Sequence, residues 1–156
     1  MRRSKVVLPT SYLGWREWAG LPEFAIRKIK VKVDTGARTS ALHVLDMEIL
    51  HQHDALQVAF TVPDCLISGT RSRIILPVRD KRNIKNSGGG VEHRVVIHTD
   101  IQMGSVSWPI ELTLTDRAGM KFPMLLGRTG IPRGILVNPG ISFTQGDCAE
   151  SCASKG

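Results

Sequence analysis

A chain of 156 residues with 42% hydrophobic and 5% aromatic content has apolar material for one domain with a packed core, not for several. Lys and Arg outnumber Asp and Glu by 21 to 14, a net charge of +7, so long-range charge favours anionic partners: nucleic acid, anionic lipid or an acidic peptide. No run approaches the ~20 apolar residues of a membrane-spanning helix, and the odd count of 3 cysteines, Cys65, Cys148 and Cys152, implies no disulfide framework.

Met1-Arg2-Arg3 starts like a signal peptide, but Val6-Val7-Leu8 runs at once into Pro9, so the expectation is a soluble cytoplasmic protein with no membrane partner. Short runs of Val, Ile, Leu and Thr broken by Gly, Pro and Asp favour strands throughout, an all-β chain. Residues 1–11 read as a flexible basic arm, 12–143 as the single domain and 144–156 as a flexible tail.

Along the domain, Leu13 to Ala19 reads as a first strand ended by Leu21-Pro22. Trp15 and Trp18 could stack nucleotides, but nothing beside them is arranged to read bases, and packing in the core or a dimer is the better reading. Ile29, Val31 and Val33 alternate with Lys28, Lys30 and Lys32, a period of two that predicts a half-buried strand delivering Asp34. Ser40–Val44 and Ala55–Val62 follow as successive antiparallel strands.

Ser72–Val78 and Val91–His98 flank the segment 79–90, where Lys81, Arg82 and Lys85 precede Gly88-Gly89-Gly90. A basic hairpin with a glycine tip suits a mobile flap, the alternative being an idle surface loop. Ile101–Thr115 predicts a hairpin turning at Gly104-Ser105, with Val106, Trp108, Ile110, Leu112 and Leu114 on one face. Met124–Gly127 is a buried strand, 128–134 holds a short helical turn, and Ile135–Val137 is the last strand.

Several chemistries lack their residues. His51, His53, Asp54 and Cys65 could supply metal ligands, yet there is no His-Glu-x-x-His and no Cys-x-x-Cys, while His43, His93 and His98 are scattered. Cys148-x-x-x-Cys152 reads as tail. The triple glycine lacks the lysine and helix of a phosphate-binding loop, and no Gly-x-Ser-x-Gly marks a nucleophilic serine. No metal or cofactor is expected.

What remains is Asp34-Thr35-Gly36-Ala37 at a strand end, combined with Leu125-Leu126-Gly127 far downstream. With these two elements the sequence resembles the retropepsin-like aspartic proteases: Val33-Asp34-Thr35-Gly36-Ala37 matches their catalytic turn and Leu125-Leu126-Gly127-Arg128 their second signature. It is closer still to a bacterial family labelled "ATP-dependent zinc protease". Gly14-Trp15-Arg16-Glu17-Trp18, the long stretch from Lys32 to His43, Trp108–Thr115 and Met124–Thr129 carry that likeness. The label disagrees with the residues, which offer neither an ATP loop nor a zinc motif.

The resemblance implies a closed β-barrel of the acid-protease fold with a short helix near its C-terminal end. Its mechanism needs two carboxylates sharing one proton, and only one Asp-Thr-Gly is present, so it implies a homodimer in which Asp34 meets its copy on a twofold axis. Thr35 would lock the two turns together, Gly36 would let the carboxylates lie close, and Ala37 would face substrate. Leu125, Leu126, Gly127 and Arg128 would support the turn, and residues 79–90 would form the flap.

Viral members carry an acid where this chain has Arg38, so Arg128 needs another partner and the cleft gains positive charge. Arg38 with Arg79, Lys81, Arg82 and Lys85 implies acidic, glutamate-rich substrates. The related family is associated with an ATP-grasp ligase that adds glutamates to a ribosomal protein, a functional link by association. The competing expectations are a non-catalytic peptide-binding or regulatory module on the same fold and a basic β-barrel that binds RNA or the ribosome.

Overall fold

Burial along the central strand follows its alternation: Ile29, Val31 and Val33 are buried while Lys32 is exposed and Lys28 and Lys30 are half-buried. The computed structural model describes residues 8, 12–67, 73–85, 88–116 and 121–146. Its strands in chain order are β1 (Tyr12–Leu13), β2 (Arg16–Leu21), β3 (Ile26–Asp34), β4 (Ser40–His43), β5 (Leu45–Gln52), β6 (Ala55–Thr61) and β7 (Ile74–Pro77). There follow β8 (Asp80–Lys85), β9 (Val91–Met103), β10 (Val106–Thr115), β11 (Met124–Gly127) and β12 (Leu136–Val137).

Six of these close a ring in the order β10, β4, β11, β3, β2, β9, with β9 pairing back to β10. Closure removes the free edges an open sheet would leave, and the ring interior is the core. Leu42, Ile97, Ile101, Leu112, Leu114, Met124 and Leu126 are buried there together with the inward residues of β3. The fold is therefore an all-β barrel, and the short helix expected near the C-terminal end is one 3-10 turn, Arg128–Gly130.

Three sequence expectations need correction. The expected strands at 91–98 and 101–115 share one continuous strand, β9, which pairs with β10 through the Gly104-Ser105 turn, where Gly104 takes φ +60°. In the segment 79–90, expected as a basic hairpin, Asp80–Lys85 is a strand paired antiparallel to Val91–Val96, while β7, expected to flank the hairpin, pairs with β6 instead. Nor is β4 the antiparallel neighbour of the next strand. It runs parallel to β10 and antiparallel to β11 inside the ring, and β5, β6 and β7 form a separate three-stranded sheet. An edge-to-face contact between Phe24 and Phe60, centroids 5.4 Å apart, joins that sheet to the barrel.

The expected tail also begins too early. Glu17 is fully buried, and its carboxylate accepts hydrogen bonds from Gly14 N–H (2.6 Å), the Thr144 hydroxyl (2.7 Å) and Gln145 N–H (3.2 Å). A buried carboxylate is tolerated only when its oxygens are satisfied, so Thr144 and Gln145 are part of the domain. Phe143, just before them, takes a left-handed φ of 54° and stacks on Trp18 with centroids 5.1 Å apart. Residues 1–7 and 147–156 lie outside the described residues, while Leu8 is buried. No helix among the described residues is long and apolar enough to cross a membrane.

Candidate active site

Asp34 is the last residue of β3 and sits between two signature elements. On one side β11 runs parallel to β3 with Leu126 beside Val33 and Gly127 beside Asp34. On the other, β2 runs antiparallel, with Arg16 beside Lys32. At the strand end the chain turns back: Ala37 N–H donates to the Asp34 carbonyl (3.2 Å), and Gly36 N–H donates to Asp34 Oδ1 (3.0 Å). Asp34 is half-buried, whereas Thr35, Gly36 and Arg38 are exposed.

Gly36 is not in a left-handed conformation. A Cβ there would stand 3.3 Å from Asp34 Oδ1, so glycine serves the close approach of the carboxylate rather than an unusual φ. The Thr35 hydroxyl has no hydrogen-bond partner among the described residues.

Residues after Gly127 clamp the turn from behind. Arg128 N–H donates to the Ala37 carbonyl (2.8 Å), and both the amide and the hydroxyl of Thr129 donate to the Arg38 carbonyl, at 3.1 and 2.7 Å. Arg128, deprived of the acid found in viral members, reaches the Gly36 carbonyl with Nη1 at 3.4 Å. Gly127 itself is forced: a Cβ would lie 2.6 Å from the Thr39 carbonyl carbon. Below it, the buried Ser40 hydroxyl accepts from Gly127 N–H (3.0 Å), and the Ser40 carbonyl accepts from the Thr113 hydroxyl (2.8 Å). Trp108 Nε1–H caps the Gly130 carbonyl at 2.9 Å.

The arrangement therefore presents one carboxylate per chain, on an exposed turn whose carbonyls at 36, 37 and 38 all accept from residues 128 and 129. Such rigidity preorganises a reacting group and removes reorganisation from the chemical step. Ser40, Thr129 and Glu17 were not singled out from the sequence. Each lies within a motif already quoted; for Ser40 and Glu17 the available signal was a polar residue standing where the strand pattern calls for an inward side chain, whereas Thr129 is an exposed residue of the Arg128–Gly130 turn with no such signal.

The basic residues expected to meet substrate divide into two groups. Arg38, Arg79, Lys81 and Lys85 are exposed, and the Arg38 side chain forms no ion pair among the described residues. Arg82 is engaged: it donates to both Glu111 oxygens (3.3 and 2.7 Å) and to Asp80 Oδ2 (3.0 Å). The Arg82 hydrogen bonds hold the Glu111 carboxyl below its ordinary range and in return raise the guanidinium. Asp80 is lowered first by the Lys81 N–H and then by Arg82.

His98 Nε2 lies 3.7 Å from Glu111, on the outer face of the barrel. His51 and His53 are exposed at the turn between β5 and β6. Among the described residues no three His, Cys, Asp or Glu side chains gather as for a metal ion.

With this geometry in hand, comparison with known proteins is specific. Two curated relatives are each named "Probable alpha-L-glutamate ligase". The one from Desulfotalea psychrophila is 37% identical over 144 residues, covering 92% of this chain and 31% of the relative. That from Shewanella halifaxensis is 39% identical over 137 residues, covering 86% of this chain and 30% of the relative. The chain thus spans about a third of their length. The crystal structure of the Legionella pneumophila protein Lpg0085, of unknown function, superposes with a TM-score of 0.69 at 26% identity, over 86% of this chain and 97% of that one. Residues 12–147 match the RimB-like family, described as "Retropepsin-like aspartic endopeptidase RimB", and with the Asp34 turn seated against Gly127 in a closed barrel, the chain belongs to that family.

Proposed function

We propose that this domain is an aspartic endopeptidase that works as a homodimer, independent of ATP and zinc, on acidic, glutamate-rich peptides or proteins. The observation that carries the reading is the single half-buried Asp34 carboxylate, held by Gly36 N–H on a turn clamped from behind by Arg128 and Thr129. One such carboxylate is half of a proton-sharing pair. Two, brought ~3 Å apart, cannot both ionise, so one draws a proton from water while the other, protonated, polarises the scissile carbonyl. The pair titrates as a unit.

The Thr35 hydroxyl, without a partner among the described residues, is suited to bond across the twofold axis, and Ala37 to face the substrate backbone. The hairpin of β8 and β9 acts as the flap, with Arg79, Lys81 and Lys85 toward substrate and Arg82 bracing it through Asp80 and Glu111. Arg38 beside the turn favours carboxylate side chains. The relatives' name supports a functional link to a glutamate ligase, whose glutamylated product, such as a ribosomal protein tail, is a chemically matched substrate.

The test compares wild type with Asp34→Asn on glutamate-tailed and untailed peptides, alongside sedimentation of both proteins. The expected result is cleavage of tailed peptides by wild type, loss of at least ~1000-fold in rate for the variant, and a dimer in both. Undiminished cleavage by Asp34→Asn overturns the mechanism, and binding without cleavage by wild type makes the domain a peptide-binding module on the same fold.

A further inference from the structure

The outer face of β3 carries a feature that neither the catalytic turn nor the flap uses. Lys28, Lys30 and Lys32 lie on one face of the strand, and the next residue on that face is Asp34. Alternate residues of a strand stand ~6.6 Å apart, so the three stems form an evenly spaced row that ends at the candidate catalytic carboxylate. Beside Lys30 and Lys32 stand Trp18 and Arg16 on β2, and beside Lys32 and Asp34 stand Leu125 and Gly127 on β11, so none of these paired neighbours is a carboxylate.

The row is also braced. The ammonium groups of Lys28 and Lys30 lie 4.3 and 5.3 Å from the centroid of the Trp18 ring, which in turn stacks on Phe143. Arg16 sits 5.0 Å from the Phe143 ring and donates from Nε to Ser142 Oγ. Cation–π contact fixes the direction of long lysine side chains that would otherwise sweep freely, and lowers the entropy lost when a ligand orders them.

We propose that this row is a docking rail for an extended acidic polypeptide, which leads the substrate chain to Asp34. A run of glutamates is held extended by its own repulsion, and in an extended chain alternate carboxylates recur at the same ~6.6 Å interval as the lysines. Spacing and charge match together. β3 is paired on both edges, so the rail offers side-chain charge and no backbone ladder. Binding there is electrostatic, strongly weakened by salt, and indifferent to substrate features other than acid spacing.

The inference rests on the acidic-substrate reading above and is tested so that the two fail separately. Binding of an α-linked decaglutamate and of triglutamate, which is too short to span the turn and the rail, is measured by fluorescence anisotropy on Asp34→Asn protein at several NaCl concentrations. The comparison proteins add Lys30→Gln with Lys32→Gln, or Lys30→Arg with Lys32→Arg.

The glutamine pair should bind decaglutamate ~10-fold more weakly with a shallower salt dependence, leave triglutamate unchanged within twofold, and be rescued by the arginine pair. Equal decaglutamate affinity for the glutamine pair overturns the rail. So does tighter binding of a ten-nucleotide single-stranded RNA than of decaglutamate, lost in the same variant, which makes the face a nucleic-acid site. Cleavage is followed separately with Asp34 intact: lysine-dependent binding without cleavage removes the peptidase reading and keeps the rail, whereas cleavage unaffected by the glutamine pair does the reverse.

Discussion

Ser40 Oγ accepts a hydrogen bond from Gly127 N–H across 87 residues of chain, and so joins the two signature segments beneath the Asp34 turn. Both groups are buried. Ser40→Ala leaves the buried Gly127 amide without its acceptor, at a cost of about 1–3 kcal/mol. The expected result is a fall in thermal midpoint of several degrees, with activity on glutamate-tailed peptides reduced more than the loss of folded protein explains. An unchanged melting curve would show that this bond does not secure the turn.

Glu17 fastens the far end of the domain. Replacing it with Gln keeps the volume but presents an N–H₂ group where three donors, from Gly14, Thr144 and Gln145, now converge on carboxylate oxygens. A donor facing donors costs about 1–3 kcal/mol, so Glu17→Gln should lower the urea midpoint with an unchanged slope. Thr144→Val, which removes one of the three donors, should lose less. Equal stability of Glu17→Gln and wild type would contradict the assignment.

The Arg82 brace makes hairpin stability depend on acid. Asp80 and Glu111 are held below their ordinary values of 3.8 and 4.5 in the folded chain. A carboxyl with a depressed folded value contributes stability that is complete above its unfolded value and is lost as pH falls through the folded one. Protection of β8 and β9 amides against hydrogen exchange should therefore be flat from pH 7 to about 5 and decline below about 4.5. Because Glu111 is partly exposed, screening limits its contribution to about 1 kcal/mol or less. In Arg82→Gln the decline should flatten and protection at pH 7 should already be reduced.

Arg38 is the exposed cation nearest the Asp34 turn in sequence, and its backbone carbonyl, not its side chain, is used by the clamp. Arg38→Glu should leave the thermal midpoint within about 2 °C while raising KM for glutamate-tailed peptides about 10-fold or more, since a charge is reversed rather than removed. An uncharged peptide of similar length should be handled equally well by both proteins. If it too is impaired, Arg38 acts on the turn's geometry and not on substrate charge.

Legibility from the sequence varied with how each strand is wetted. β3 and β10 announce themselves because one face of each is dry, as Val31 against Lys32 or Leu112 against Glu111 shows. β8 did not, because Asp-Lys-Arg-Asn-Ile-Lys has water on both faces and is a strand only through its pairing with β9. β5 carries the alternation Leu45, Met47, Ile49, but a register shift between Leu45 and Glu48, with Asp46 at φ 51°, breaks its continuity.

The two signature segments were readable as motifs. That they lie side by side in parallel, with Ser40 closing the gap beneath, depends on ring closure, which no local period encodes. The misread tail has a related cause: Thr144 and Gln145 look like tail residues until a buried carboxylate from the other end of the domain requires them.

The clamp on the Asp34 turn is supplied by residues 128 and 129, and the partner strand of β3 by residues 124–127. A chain that grows from its N-terminus thus makes the aspartate early and the parts that aim it late. Pairings of this separation are slow to form and come after local hairpins such as β9 with β10. During synthesis the carboxylate waits on an unfinished sheet until residues 124–129 arrive, and a fragment ending before residue 124 carries the acid without β11 and the clamp behind its turn.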